Sequence, residues 1–162
     1  MPTVTEGKMA KASDLLFIPN FRSMKYPDIS SCLTITLVCK NQMLVGALAV
    51  IAPGPNMQGV DDLVQGLKNA AKDHNPLKLF LVGVMGIWNP RNLSQASKKY
   101  RTVDAIAEDL QKEWRGLKYS MTDVTEWTNN GAVEIKFSPS GPFVVRDQNT
   151  GSIRHQEEYG IG

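Results

Sequence analysis

The run MLVGALAVIA, Met43–Ala52, carries no charge and no polar side chain. It is far shorter than the ~20 apolar residues a helix needs to cross a bilayer. It is also too uniform for a strand with one wet face. Such a run fits a strand covered on both faces. A chain that buries a strand in this way folds in layers, with other elements packed on the sheet that holds it.

The neighbouring segments supply those layers. In CLTITLVC, Leu33, Ile35, Leu37 and Cys39 share one face of a strand, and Cys32, Thr34, Thr36 and Val38 share the other. The polar KNQ turns this strand back into Met43–Ala52, and PGPN stops the second strand because proline cannot feed a ladder. VDDLVQGLKNAAK predicts a helix, with Val60, Leu63, Val64, Leu67, Ala70 and Ala71 on one stripe. Asp61 and Asp62 fall in its first turn and Lys72 in its last, as the helix dipole prefers. LKLFLVGVMGI, Leu77–Ile87, reads as a further buried strand, and Trp88–Arg101 as a long polar loop. TVDAIAEDLQKEWRGL predicts a second helix capped by Thr102. After it, Leu117–Trp127 reads as a strand, NNG (Asn129–Gly131) as a hairpin turn, and AVEIKFS and FVVR as strands joined by PSGP.

The expected fold class is α/β (α+β): a mixed β-sheet with two main helices packed on it and a C-terminal β-meander. The expected organisation is one domain over residues 1–162, with an N-terminal arm over 1–30 and a C-terminal tail over 147–162. Within the arm, DLLFIPNF reads as a short strand or a segment packed on the body or on a neighbour.

Composition narrows the function. With 162 residues and 42% apolar content, the chain can bury a core without staples. The net charge of +2 demands neither nucleic acid nor an anionic membrane. Cys32 and Cys39 on one strand lie roughly 23 Å apart and cannot bridge. Reduced thiols, no signal peptide and no membrane span give a cytoplasmic expectation. There is no phosphate-cradling G-x-x-x-x-G-K-[ST] or G-x-G-x-x-G pattern, and Gly83 and Gly86 are better explained by close packing. His74 and His155 are far apart, with no metal-ligand spacing. No cofactor and no metal are expected.

Two constellations remain. Arg91, Lys98, Lys99 and Arg101 are interleaved with Trp88 and Tyr100, a pattern able to bind phosphates and stack bases. Four charges on a polar loop are also an ordinary solvated surface. Cys39 lies on the Leu/Ile face and reads as core. Cys32 opens its strand after two serines, on the threonine face, where solvent would reach it and where a nucleophile would need a neighbouring base.

SSC, LTITLVC and VGALA, followed by helix, strand, helix and a closing meander over about Ser30 to Val145, resemble the CheD family of chemoreceptor glutamine deamidases. That family has a G-S-C strand and a second strand ending in G-x-x-A-H. The resemblance implies Cys32 as nucleophile. It puts Val50 where the family has its general-base histidine, Ser31 where it has glycine, and its hydroxyl residue near Tyr26. The nucleophile is kept and its activation is lost.

The leading expectation is therefore a non-catalytic protein-interaction or self-assembly module, of the kind a degenerate deamidase-like domain or a small viral matrix-like protein would be. One alternative is a deamidase or amidohydrolase using Cys32 with a base from elsewhere. The other is nucleic-acid or acidic-lipid binding through Trp88, Arg91, Lys98, Lys99, Tyr100 and Arg101.

Overall fold

A computed structural model describes residues 3–10 and 23–161. The stretch DLLFIPNF lies outside the described residues. The elements are β1 (Lys8–Ala10), β2 (Met24–Ile29), β3 (Leu33–Cys39), β4 (Leu44–Ala49), α1 (Val60–Ala71), β5 (Pro76–Gly83), α2 (Pro90–Ala96), α3 (Val103–Glu113), β6 (Lys118–Asp123), β7 (Val133–Phe137), β8 (Phe143–Asp147) and β9 (Ile153–Glu157). The expected α+β content is present, divided between two sheets. Five strands form one sheet in the order β1-β4-β3-β5-β6, and four form the other in the order β2-β7-β8-β9. Within the first sheet only β5 and β6 run parallel. No described helix is long and apolar enough to cross a membrane.

Register shows which layer each face of the first sheet meets. Ile35 is paired with Ala47 and Ala47 with Met9, whose sulfur lies against Gly66 of α1. That row faces the helices. Thr36 is paired with Gly46 on one side and Phe80 on the other. The Thr36 hydroxyl is 2.6 Å from the phenol oxygen of Tyr26 in β2, and the Phe80 ring lies 4.9 Å from that of Phe143 in β8. That row faces the second sheet. The molecule is a three-layer sandwich of helices, five-stranded sheet and four-stranded sheet. Every residue of β3 and of β4 is buried, which accounts for the uniform apolar run in β4. The threonine face of β3 is buried too: Thr34 donates to the Val82 carbonyl at 2.7 Å, so its hydroxyl is satisfied inside the sandwich.

Several expectations need correction. The segment read as an arm contributes β1 to one sheet and β2 to the other, and Thr3 bridges to Lys25 of β2. The segment read as a tail contains β9, and beyond it Tyr159 is buried against Phe80 and Phe137. Neither segment shows strong periodicity because β1 is three residues long and β9 is an edge strand with few apolar positions. The NNG turn does not join a hairpin. After β6 the chain makes a 3₁₀ turn over Thr125–Thr128 and crosses from one sheet to the other. The meander is β7-β8-β9.

Among the described residues no further strand pairs with β6 or β9, which end the two sheets on the same side of the sandwich. The Ser120 hydroxyl donates to the Glu157 carboxylate at 2.9 Å between them. Met121 on β6, in the row that faces the helices, and Ile153 on β9 are exposed, at 39% and 53%.

Candidate functional site

The antiparallel pairing of β3 with β5 puts the start of β3 beside the end of β5, where Leu33 faces Gly83. The parallel β6 ends at the same place, with Asp123 opposite Gly83. Clefts beyond the carboxyl ends of parallel strands are where ligands bind in α/β sheets. Here the two sequence candidates meet. The Trp88 indole N–H donates to the Ser31 carbonyl at 2.9 Å, one residue before Cys32, and the Val84 amide donates to the Cys32 carbonyl at 3.1 Å.

Cys32 is not open to solvent as its strand position suggested; it is only 1% exposed. Its thiol lies 3.6 Å from the Glu6 carboxylate, to which it donates. Burial pushes the thiol up to about 11, with the Glu6 charge adding to the effect. At neutral pH the thiol is held protonated. Neither histidine is near. His74 follows α1 at the opposite end of β3, and His155 on β9 is stacked on Trp127 and bonded to Glu157 at 3.3 Å. Tyr26, nearest the deamidases' hydroxyl position, bonds Thr36 and not Cys32. Cys39 is fully buried, and burial pushes its thiol up to about 12.

The segment Trp88–Arg101 is not a loop along its length. Asn89 caps α2 by accepting the Asn92 amide at 2.9 Å, and Pro90 occupies the first turn, where its missing N–H costs nothing. Trp88 and Tyr100 are each 3% exposed and belong to the core. They offer no face to a stacking base, so the aromatic half of the nucleic-acid expectation is overturned. The cations are divided as well. Arg91 and Lys98 point to solvent, Lys99 pairs with Asp109 at 3.1 Å, and Arg101 folds back onto the carbonyls of Ser97, Lys98 and Tyr100.

Two carboxylates that read as solvated surface charge in the sequence, Asp61 and Asp109, hold this region together. Asp61, in the first turn of α1, accepts the Ser97 hydroxyl at 2.5 Å and the Lys98 amide at 3.0 Å. Asp109 on α3 accepts the Tyr100 hydroxyl at 2.5 Å, Lys68 of α1 at 2.9 Å and Lys99. Burial opposes the Asp109 charge, but these three donors outweigh it and hold the carboxyl at about 2 against an ordinary 3.8. Because the folded value lies below the unfolded one, the stabilisation is complete above pH 3.8 and is lost as pH falls towards 2. On the order of 2 kcal/mol rides on this one group. Urea midpoints measured between pH 5 and 2 are expected to fall steeply in the native chain and less steeply in Asp109→Asn. Equal slopes would show that the cluster does not tie α3 to α1. Some slope persists in the variant, since Asp123 is also held low: burial works against its charge, and the Thr125 hydroxyl and amide and the Met85 amide prevail.

No family model matches the chain, and no curated protein matches it. Chemistry at this end of the sheet therefore has to be argued from its own groups. They are a buried, protonated thiol with a carboxylate acceptor, a tightly bonded acid in Asp123, and a helix pair pinned by Asp61 and Asp109. The base beside the thiol is the Glu6 carboxylate, and its charge keeps the proton on sulfur.

Proposed function

We propose that this chain is a non-catalytic interaction or self-assembly module, in which the deamidase-like strand survives as scaffold. The observation that carries the reading is that β6 and β9, the last strands of the two sheets among the described residues, each bear an exposed apolar side chain, Met121 and Ile153. Unpaired edges bearing apolar side chains are templates for pairing with another chain. A second copy is the occupant we propose. The state of Cys32 supports the same reading from the other direction, since a thiol held near 11 beside a carboxylate is not an activated nucleophile.

Light scattering across a concentration series is expected to show a dimer or larger species that dissociates in Met121→Lys/Ile153→Lys with unchanged circular dichroism. A native chain that stays monomeric at roughly millimolar concentration, where even weak association would register, would sink the assembly reading. Alkylation provides the parallel check on enzymatic chemistry. Cys32 is expected to react with iodoacetamide at pH 7 at least about a hundredfold more slowly than a free thiol of pKa ≈ 8.5. Reaction at or above the free-thiol rate would restore the Cys32-dependent deamidase as the better account.

A further inference from the structure

β9 is the last strand of the four-stranded sheet among the described residues, so one side of its backbone has no strand beside it there. Its usable length is short. The pairing of β8 with β9 shifts between Val145 and Arg146, which puts an extra residue, Arg154, into the edge, and a bulge ends regular pairing. At the other end the chain stays alongside Gly141, which packs against Tyr159 and Glu158, until Gly160 turns it with a φ of +71°. Residues 154–159 are therefore what β9 offers a second strand.

The order of charge over this stretch, Arg154-His155-Gln156-Glu157-Glu158, restricts how a second copy can seat on it, given the self-assembly reading above, on which this inference rests. Two copies of one edge pair antiparallel about a two-fold axis. Directly opposite residues share a face of the sheet, so one residue has to lie opposite its own copy. With Arg154, Glu157 or Glu158 in that place, like charges meet. With His155 there, two imidazoles meet and Arg154 falls opposite a glutamine. With Gln156 there, Arg154 falls opposite the partner's Glu158 and His155 opposite the partner's Glu157, each pair occurring twice.

Arg154 can serve a second carboxylate without giving up its first. Its Nε and Nη2 hold Asp147 at 2.9 and 2.6 Å, which leaves the donors on Nη1. The length of its side chain offsets the bend that the bulge introduces. β6, the last strand of the other sheet, has no comparable order: its Lys118 and Asp123 lie on opposite faces and cannot meet in a two-fold pairing. Charges along an edge ordinarily bar strand pairing. Along β9 they bar a foreign strand and match the chain's own. We infer that two copies join β9 to β9 antiparallel, with Gln156 opposite the partner's Gln156 on the two-fold axis, so that two four-stranded sheets become one.

Two measurements test the register. Directly opposite residues of an antiparallel pair have Cα atoms ~4.5–5.5 Å apart, within the ~4.4–6.8 Å that a disulfide spans. Gln156→Cys is therefore expected to oxidise to a disulfide-linked dimer at least about tenfold faster than Asn149→Cys, an exposed site on the hairpin before β9. Cys32 and Cys39 are buried and do not compete. The second measurement is a charge exchange read by light scattering. Arg154→Glu and Glu158→Arg each set like charges opposite one another and are each expected to weaken self-association about tenfold. An equimolar mixture of the two restores both opposite-charge pairs and is expected to associate as the native chain does. Arg154→Glu gives up the bond to Asp147, so circular dichroism checks its fold, and the cysteine measurement does not depend on it. The inference is overturned if Gln156→Cys oxidises no faster than Asn149→Cys, or if the mixture associates no better than either variant alone. A native chain that self-associates alongside either of those results keeps the assembly reading and loses this register, whereas a native chain that stays monomeric loses both.

Discussion

Replacing Gly46 by alanine is expected to be among the most damaging single changes in this molecule. A Cβ at that position would sit 1.9 Å from the phenol oxygen of Tyr26 and 2.7 Å from the sulfur of Met24. Tyr26 and Met24 are fully buried between the sheets and cannot swing aside into solvent. Overpacking of this kind costs about 1–3 kcal/mol, and sometimes more. Displacing Tyr26 also breaks its 2.6 Å bond to Thr36 and leaves buried hydroxyls without partners, for about another 1–3 kcal/mol. A total of about 2–6 kcal/mol would remove much of the stability of an ordinary domain. Guanidinium denaturation is the measurement, with Gly54→Ala as control, because nothing lies within 4 Å of a Cβ there. The double variant Gly46→Ala/Tyr26→Phe removes the clashing oxygen and is expected to recover part of the loss, a positive coupling on the double-mutant cycle. Additive single effects would mean that the Cβ and the phenol do not compete for the same space.

Phe80→Ala is expected to be comparably severe for the opposite reason, a void. The ring lies 4.9 Å from Phe143, 5.8 Å from Phe137 and 5.6 Å from Tyr159, fastening β5 to β7, β8 and the segment after β9. It is fully buried, and phenylalanine-to-alanine changes in such sites cost about 3–5 kcal/mol. Phe80→Leu keeps most of the volume and is expected to cost a fraction of that. Near-ultraviolet dichroism is the second readout. Tyr159 is held by this cluster and by its bond to the Ser138 carbonyl, so its signal is expected to weaken in the alanine variant. Unchanged stability in Phe80→Ala would show that the two sheets are not joined through this aromatic cluster.

What was legible in the sequence follows from where periodicity is strong. β3, β4, β5, α1 and α3 are long and bury whole faces, so hydrophobic period alone places them. Which sheet a strand joins is another matter. Alternation in AVEIKFS shows that one face is wet, but nothing in it says that β7 pairs with β2 and not with β6. β9 was hidden because IRHQE puts its one large apolar side chain, Ile153, in solvent. Tyr100 reads as loop because Lys99 and Arg101 flank it, and Trp88 because the polar Asn89, Pro90 and Arg91 follow it, although Asn89-Pro90 carries the cap-and-first-turn signature of the short helix between them. Cys32 stands one residue before β3. Its burial was not legible, because Glu6 contacts its sulfur and Trp88 bonds the preceding carbonyl, both from distant parts of the chain.

The N-terminal strip, from the Thr3–Lys25 bridge to β1, has its first residues on the edge of one sheet and its last on the edge of the other. The Val4 amide donates to the Lys25 carbonyl at 2.9 Å, and the Gly7 amide to the Leu48 carbonyl at 2.8 Å. The sandwich is thus a book stitched along both margins. Along the spine a single piece of backbone binds both covers. At the opposite margin the chain crosses between the covers after β6, Trp127 of that crossing stacks on His155 of β9, and Ser120 bonds Glu157. Parting the covers means undoing one of these seams, and the rings around Phe80 lie between them.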